Sequence, residues 1–165
     1  TAGYTNANAP SDFSCHIFYP DGGGVEWQAP DPAWLDSTQS AGTDYGNIFF
    51  PAGSCVYNVG TNSTTLCDDS GDDEELLFVV PWLKQEVCKQ INDLVGVTNP
   101  SDAPPQDAGN AWEAGHDKFT GSYGGDIEIG GVTYTELDGK TTGCFEGTTV
   151  PPAGSYHFYK VLIAR

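Results

Sequence analysis

The sequence predicts an α+β domain: an antiparallel sheet, one main helix and long loops stapled by disulfides. Three observations lead there. A single stretch, Leu83 to Leu94, repeats its apolar residues at helical spacing. Several shorter runs alternate or stay apolar between glycine and proline turns, as strands do. Five cysteines lie among 21 glycines and 11 prolines, which suits a scaffold made in an oxidising compartment. At 165 residues the chain fits one domain over 1–165, with residues 1–14 as an extended lead-in.

Taken in order, TAGYTNANAPSDFS (1–14) is small and polar and reads as exposed chain. CHIFYP is a short apolar strand, and DGGG after it must turn, because consecutive glycines suit no regular element. VEWQ resumes the strand. APDPAWLDSTQSAGTDYG is an irregular surface excursion with Trp34 as its anchor. NIFFPAGSCVYNVG supplies two strands around a Pro-Ala-Gly turn.

The acidic stretch CDDSGDDEELL comes next, with six carboxylates in the eight positions 68–75. Asp72 and Glu75 have the spacing of a capping box, and acids suit the positive end of a helix dipole. Pro81 divides the apolar segment beyond it into a short turn or strand over 75–80 and a main helix starting near Pro81. Leu83, Val87, Ile91 and Leu94 are the expected buried stripe, with Lys84, Glu86 and Asp93 in solvent and Gly96 as the stop. Residues 98–117 form a Pro/Ala/Asp-rich loop too long for a simple connector. DIEIGGVTYTEL reads as a β-hairpin around Gly130-Gly131. SYHFYKVLIA is apolar on both alternating faces, so it predicts a buried strand that places the C-terminus inside the sheet.

Charge excludes some partners. Twenty-three acids against six bases give −17, which disfavours nucleic acid and anionic membrane and favours cations or a basic protein surface. No CxxC exists, so zinc and haem patterns are absent from the sequence. The longest apolar run, LLFVVPWL, is far too short to span a bilayer. A chain that begins at Thr1 and contains no methionine suggests removal of an upstream piece.

No reaction is indicated. His16, His116 and His157 are scattered, and no G-x-S-x-G elbow occurs. For the acidic run, an EF-hand loop counted from Asp68 would place Gly71 two positions early, so that match fails. A looser calcium loop through Asp68, Asp69 and Asp72 is the alternative to a solvated loop with a helix cap. The cap is preferred because its spacing accounts for half the acids without a metal. Trp34 and Trp112 could stack on a sugar, although aromatics more often fill cores.

Of the five cysteines, Cys55 and Cys67 flank a loop-like segment whose closure would stabilise by roughly 3 kcal/mol. Cys88 on the helix and Cys144 ahead of the last strand suit a helix-to-sheet staple. Cys15 is then left over, free or bonded to a segment outside this chain. Other pairings stay open.

GYTNANAPSDFSCHIFYPDGGGVEW, PWLKQEVCKQIND, GCFEG and YHFYKVLIAR together resemble bacterial envelope proteins of pilin-like or pseudopilin-like build. In that family an N-terminal hydrophobic helix continues into an amphipathic helix with a cysteine near its end, followed by a globular domain. The resemblance implies that Cys15 pairs with a cysteine upstream of Thr1. It also implies a non-enzymatic filament or secretion-associated subunit at the cell surface or outside the cell. Such a subunit associates with itself or with other envelope subunits, and meets the membrane only through the helix this sequence lacks. The rival expectation is a secreted calcium- or glycan-binding module, with an extracellular hydrolase third. Recognition is expected on the loops 21–46, 60–72 and 98–117.

Overall fold

The computed structural model describes residues 28–42, 44–51, 54–60, 75–107, 127–131 and 133–164. Regular elements run in the order β1 (Ser54–Val56), β2 (Leu76–Leu83), α1 (Gln85–Val95), β3 (Ile127–Ile129), β4 (Thr142–Glu146) and β5 (Tyr156–Ile163). The class is α+β: one main helix against a three-stranded antiparallel sheet ordered β2-β5-β4. A second, two-stranded sheet pairs β1 with β3 in parallel.

β5 is the central strand, as a run apolar on both faces requires. Its burial is not uniform, however. His157 and Tyr159 are fully buried, whereas Leu162 and Ile163 stand about half exposed at its end. Register assigns the two faces of the sheet. Leu77, Val79, His157, Tyr159 and Phe145 share one face, and β1, β3 and the turns cover it through Val56, Val59, Ile129 and Leu137. Leu76, Phe78, Val80, Tyr156, Phe158, Lys160 and Cys144 share the other. α1 packs over the β4 and β5 part of that second face.

Several sequence expectations are corrected here. Pro81 does not open a helix. It lies near the end of β2, inside a register irregularity between Val80 and Leu83 where its missing N–H breaks no ladder bond. Trp82 comes next with φ +61°, a left-handed conformation that a bulky residue adopts only when its surroundings enforce it. Those surroundings are visible: its N–H donates to His157 Nδ1 at 3.3 Å, and its ring packs edge-on against the His157 imidazole. A Cβ on Gly42 would lie 2.5 Å from the Trp82 indole, so glycine is needed there for close approach.

The helix therefore starts at Gln85, capped by Lys84 without a side-chain bond. Leu83 belongs to β2, and Leu94 is 86% exposed, so neither is on a buried helical stripe. The residues that α1 buries are Cys88 and Asn92, while Val87 and Ile91 are half-buried. Lys84, Glu86 and Asp93 are exposed as expected. Gly96 closes the helix in the left-handed conformation at φ +74°.

The Gly130-Gly131 hairpin is also overturned. β3 pairs with β1, and the chain after Gly131 enters a 3-10 turn at Thr135–Leu137 instead of a returning strand. Both glycines have positive φ, and Gly131 N–H donates to Asp138 Oδ1, so the pair bends the chain onto Tyr57. Of the two strands expected over 47–60, β1 forms, while Phe49 makes only a bridge to Val79. Trp34 is 52% exposed; the anchor of its excursion is Leu35, which is buried and bridged to Leu83.

Candidate functional site: an apolar groove beside the helix

Of the carboxylates in the acidic run, only Glu75 falls within the described residues. Asp68, Asp69 and Asp72 lie outside the described residues. Glu75 is described, and it is fully buried. It sits just ahead of β2, its N–H donates to Ser54 O, and its Oε2 accepts from Val56 N–H at 2.8 Å. The capping-box role of Glu75 is thus corrected: it ties β2 to β1, and the described chain after it is a strand. Among the described residues no group of three or more His, Cys, Asp or Glu gathers as a metal site.

Cys88 and Cys144 form a disulfide with Cα atoms 5.4 Å apart, joining helix to sheet. Cys55 is also disulfide-bonded. Its partner, like the expected Cys55–Cys67 bond and the leftover Cys15, falls outside the described residues. Beside the staple, Asn92 reproduces a strand's hydrogen bonding. Its Oδ1 accepts from Cys144 N–H at 2.8 Å, and its Nδ2 donates to Cys144 O at 2.9 Å. The same Nδ2 donates to Asn99 Oδ1, and Asn99 in turn donates to Lys89 O and Asp93 Oδ1.

Among the described residues, His157 and Ser155 make a serine–histidine pair whose hydrogen-bonding sense is structural. His157 Nδ1 accepts from Trp82 N–H, which leaves the proton on Nε2 to point at Ser155 Oγ, 2.6 Å away. Ser155 Oγ donates onward to Pro152 O. The imidazole is therefore a donor to the hydroxyl, the reverse of a general base accepting its proton. Burial lowers the His157 pKa well below 6.5, keeping it neutral. Asp107, also fully buried, accepts from the Thr148 hydroxyl. His16, His116 and Trp112 lie outside the described residues.

Among the described residues, an open groove of about 860 Å³ lies on the second sheet face. Its floor is Phe78, Val80 and Phe158, with Phe78 edge-on to both Phe158 and the exposed Phe50. Val87 and Ile91 of α1 form one wall. Residues 28–34, ending in Trp34, contribute to the lining opposite, where Asp31 and Asp36 each cap a 3-10 turn. Among the described residues, α1 covers the β4 and β5 part of the face, and beside it Phe78, Val80 and Phe158 stay only half-buried along the groove.

Charge gathers at one end. Tyr156 lies on this face, and its phenol is raised above 10.0 first by burial, then by Glu146, Glu86 and Asp36. Glu146 stands opposite Tyr156 in the register, and Glu86 precedes Val87 of the groove wall on α1. Asp36 N–H bonds to Trp82 O at the end of β2, and Asp31 is in the groove lining.

Both edges of the three-stranded sheet are occupied along much of their length. On β2, Val79 exchanges bonds with Phe49, Leu77 N–H reaches Pro51 O, and Trp82 O accepts from Asp36 N–H. On β4, Cys144 is held by Asn92, while Glu146 bonds to Pro105 O and Asp107 N–H.

Sequence reasoning missed Phe78, Val80 and Phe158 as site residues. Their signal was present: both LLFVVPWL and YHFYKVLI are apolar on the second alternate set, so that face needs a cover. One helix of 11 residues is too narrow to supply all of it. Comparison of the chain with protein-family models, curated proteins and solved structures gives no match.

Proposed function

We propose that this chain is a non-enzymatic structural subunit of the bacterial envelope, a filament or secretion-associated component, which makes contact through the apolar groove. One observation carries the reading. Glu75, Asn92, Ser155 and His157 turn their buried polar groups to backbone and so hold the scaffold together, while an apolar groove on the second sheet face is open. An open apolar groove with the exposed rings of Trp34 and Phe50 beside it marks an interaction site. A buried disulfide suits an oxidising compartment, and no described helix is long and apolar enough to cross a membrane. Extracellular or cell-surface placement and the pilin-like resemblance belong to this proposal.

Immunogold electron microscopy of the native cell surface tests it. Label repeating along filaments or clustered at secretion assemblies is expected, and loss of that pattern in Phe158→Ser supports the groove as the contact. Label that is diffuse in the medium overturns the reading. The rival, a secreted glycan-binding module, is favoured by one feature, the exposed Trp34 ring at the groove. It predicts glycan-array binding that disappears in Trp34→Ala. The calcium version of that rival rests on Asp68, Asp69 and Asp72, and stability that is independent of added calcium would remove it.

A further inference from the structure

We infer that the groove docks an amphipathic segment of a partner protein, apolar side chains on Phe78, Val80 and Phe158 and basic residues toward Asp36, Glu86 and Glu146. The inference rests on the assembly reading for its purpose, but it names the partner's chemistry and is tested separately.

Three features select this occupant. The first is the form of the groove. Its floor and helical wall are aliphatic and aromatic, and the Val87–Ile91 stripe continues to Leu94 at helical spacing, where the side chain is 86% exposed. An apolar stripe on the partner matches it, as in helix-in-groove recognition. The second feature is the state of the sheet edges. Phe49, Pro51, Asp36, Asn92, Pro105 and Asp107 already hold the edge groups opposite them. An added strand finds much of each edge taken, so docking proceeds through side chains on the face.

Charge supplies the third feature. Asp31, Asp36, Glu86 and Glu146 make no ion pair among the described residues, where the salt bridge that does form joins Lys89 to Asp102. Basic side chains on the partner would find uncompensated carboxylates at that end. A second copy of this chain is a poor source of them. It carries −17, and of its described lysines Lys84 is held by Ala33 O, Lys89 by Asp102 and Lys140 by Gly96 O. Lys160 stands on the groove's own sheet face, opposite Phe78.

The experiment titrates the full chain with three short synthetic peptides and follows anisotropy of the labelled peptide. A Leu–Lys peptide of helical i, i+3, i+4, i+7 spacing is the probe. A Leu–Glu peptide of the same spacing and a Gln–Lys peptide of the same charge are its controls. Saturable one-to-one binding of the Leu–Lys peptide alone is expected. That affinity should fall about tenfold in Val87→Gln and again in Glu86→Lys, a change at an exposed position, with the variant's fold checked by its urea midpoint. Equal binding of the Gln–Lys peptide, or equal affinity in both variants, would show indiscriminate attraction to an acidic protein and overturn the proposal. Absence of Leu–Lys binding overturns it too, as does concentration-dependent dimerisation of the chain abolished by Val87→Gln, which would assign the groove to a second copy. If the microscopy shows no assembly while peptide binding survives, the assembly reading fails and the groove assignment stands.

Discussion

Glu75, His157 and Asn92, all buried, hydrogen-bond to backbone in place of other backbone, and Asn92 does so most completely. With one amide it satisfies both the N–H and the C=O of Cys144 on the edge of β4. Replacing it by alanine leaves two buried backbone groups unpaired, so Asn92→Ala should cost about 2–4 kcal/mol in urea melts. A loss below that of an exposed change such as Glu86→Ala would show that water takes over the bonds. His157 provides a pH dependence. Burial holds it neutral when folded, with a pKa below the ordinary 6.5, whereas the unfolded chain takes up a proton once the pH drops past that value. Its contribution is therefore complete above the unfolded pKa and is lost as pH falls toward the folded one, at up to about 1.4 kcal/mol per pH unit. Urea midpoints between about pH 7.5 and 5.5 should drop in the native chain by more than in His157→Gln. Parallel profiles would remove His157 from the acid response.

At the scale of elements, α1 shows what a periodic pattern can and cannot convey. Spacing placed a helix over this stretch and Gly96 at its end, and both are found. The same spacing also drew Leu83 into the helix, because leucine in a strand end and leucine in a first turn look alike in sequence. The bulge at Pro81-Trp82, which settles the matter, depends on His157 75 residues away. Nor does an amphipathic period say whether its face meets a core or an open groove. The buried face was marked by Cys88 and, one turn on, Asn92, a polar residue that apolar counting passes over. Gly130-Gly131 was misread for a related reason: glycine pairs announce a change of direction, but the partner of β3 lies in β1, far back in the chain. Truncations along the helix should separate its two surfaces. Ile91→Ala, at a half-buried site, should cost about 1–2 kcal/mol, below the full core range, while Leu94→Ala should be near neutral. The staple beneath them closes a span of 56 residues, so converting Cys88 and Cys144 to alanine should cost about 4 kcal/mol on the chain-entropy account. A urea midpoint unchanged by that double substitution would mean that packing and Asn92 alone hold helix to sheet.

Across the whole molecule, electrostatics and apolar burial pull in different directions. The chain carries −17, with Lys89 paired to Asp102 at the surface. Its like charges repel in the compact state, and the two apolar clusters, one on each face of the sheet, together with the disulfide, oppose that repulsion. Salt screens the first term and leaves the second almost untouched. Adding sodium chloride, which shortens the screening length from about 10 Å at 0.1 M to about 3 Å at 1 M, should therefore raise the urea midpoint. The same salt should weaken docking of the Leu–Lys peptide, because there the charges attract. Stability and binding thus respond to one reagent with opposite signs. A midpoint that falls with salt would mean that attractive pairs sustain the fold. Binding that strengthens with salt would mean that apolar contact alone, without Asp36, Glu86 and Glu146, selects what the groove holds.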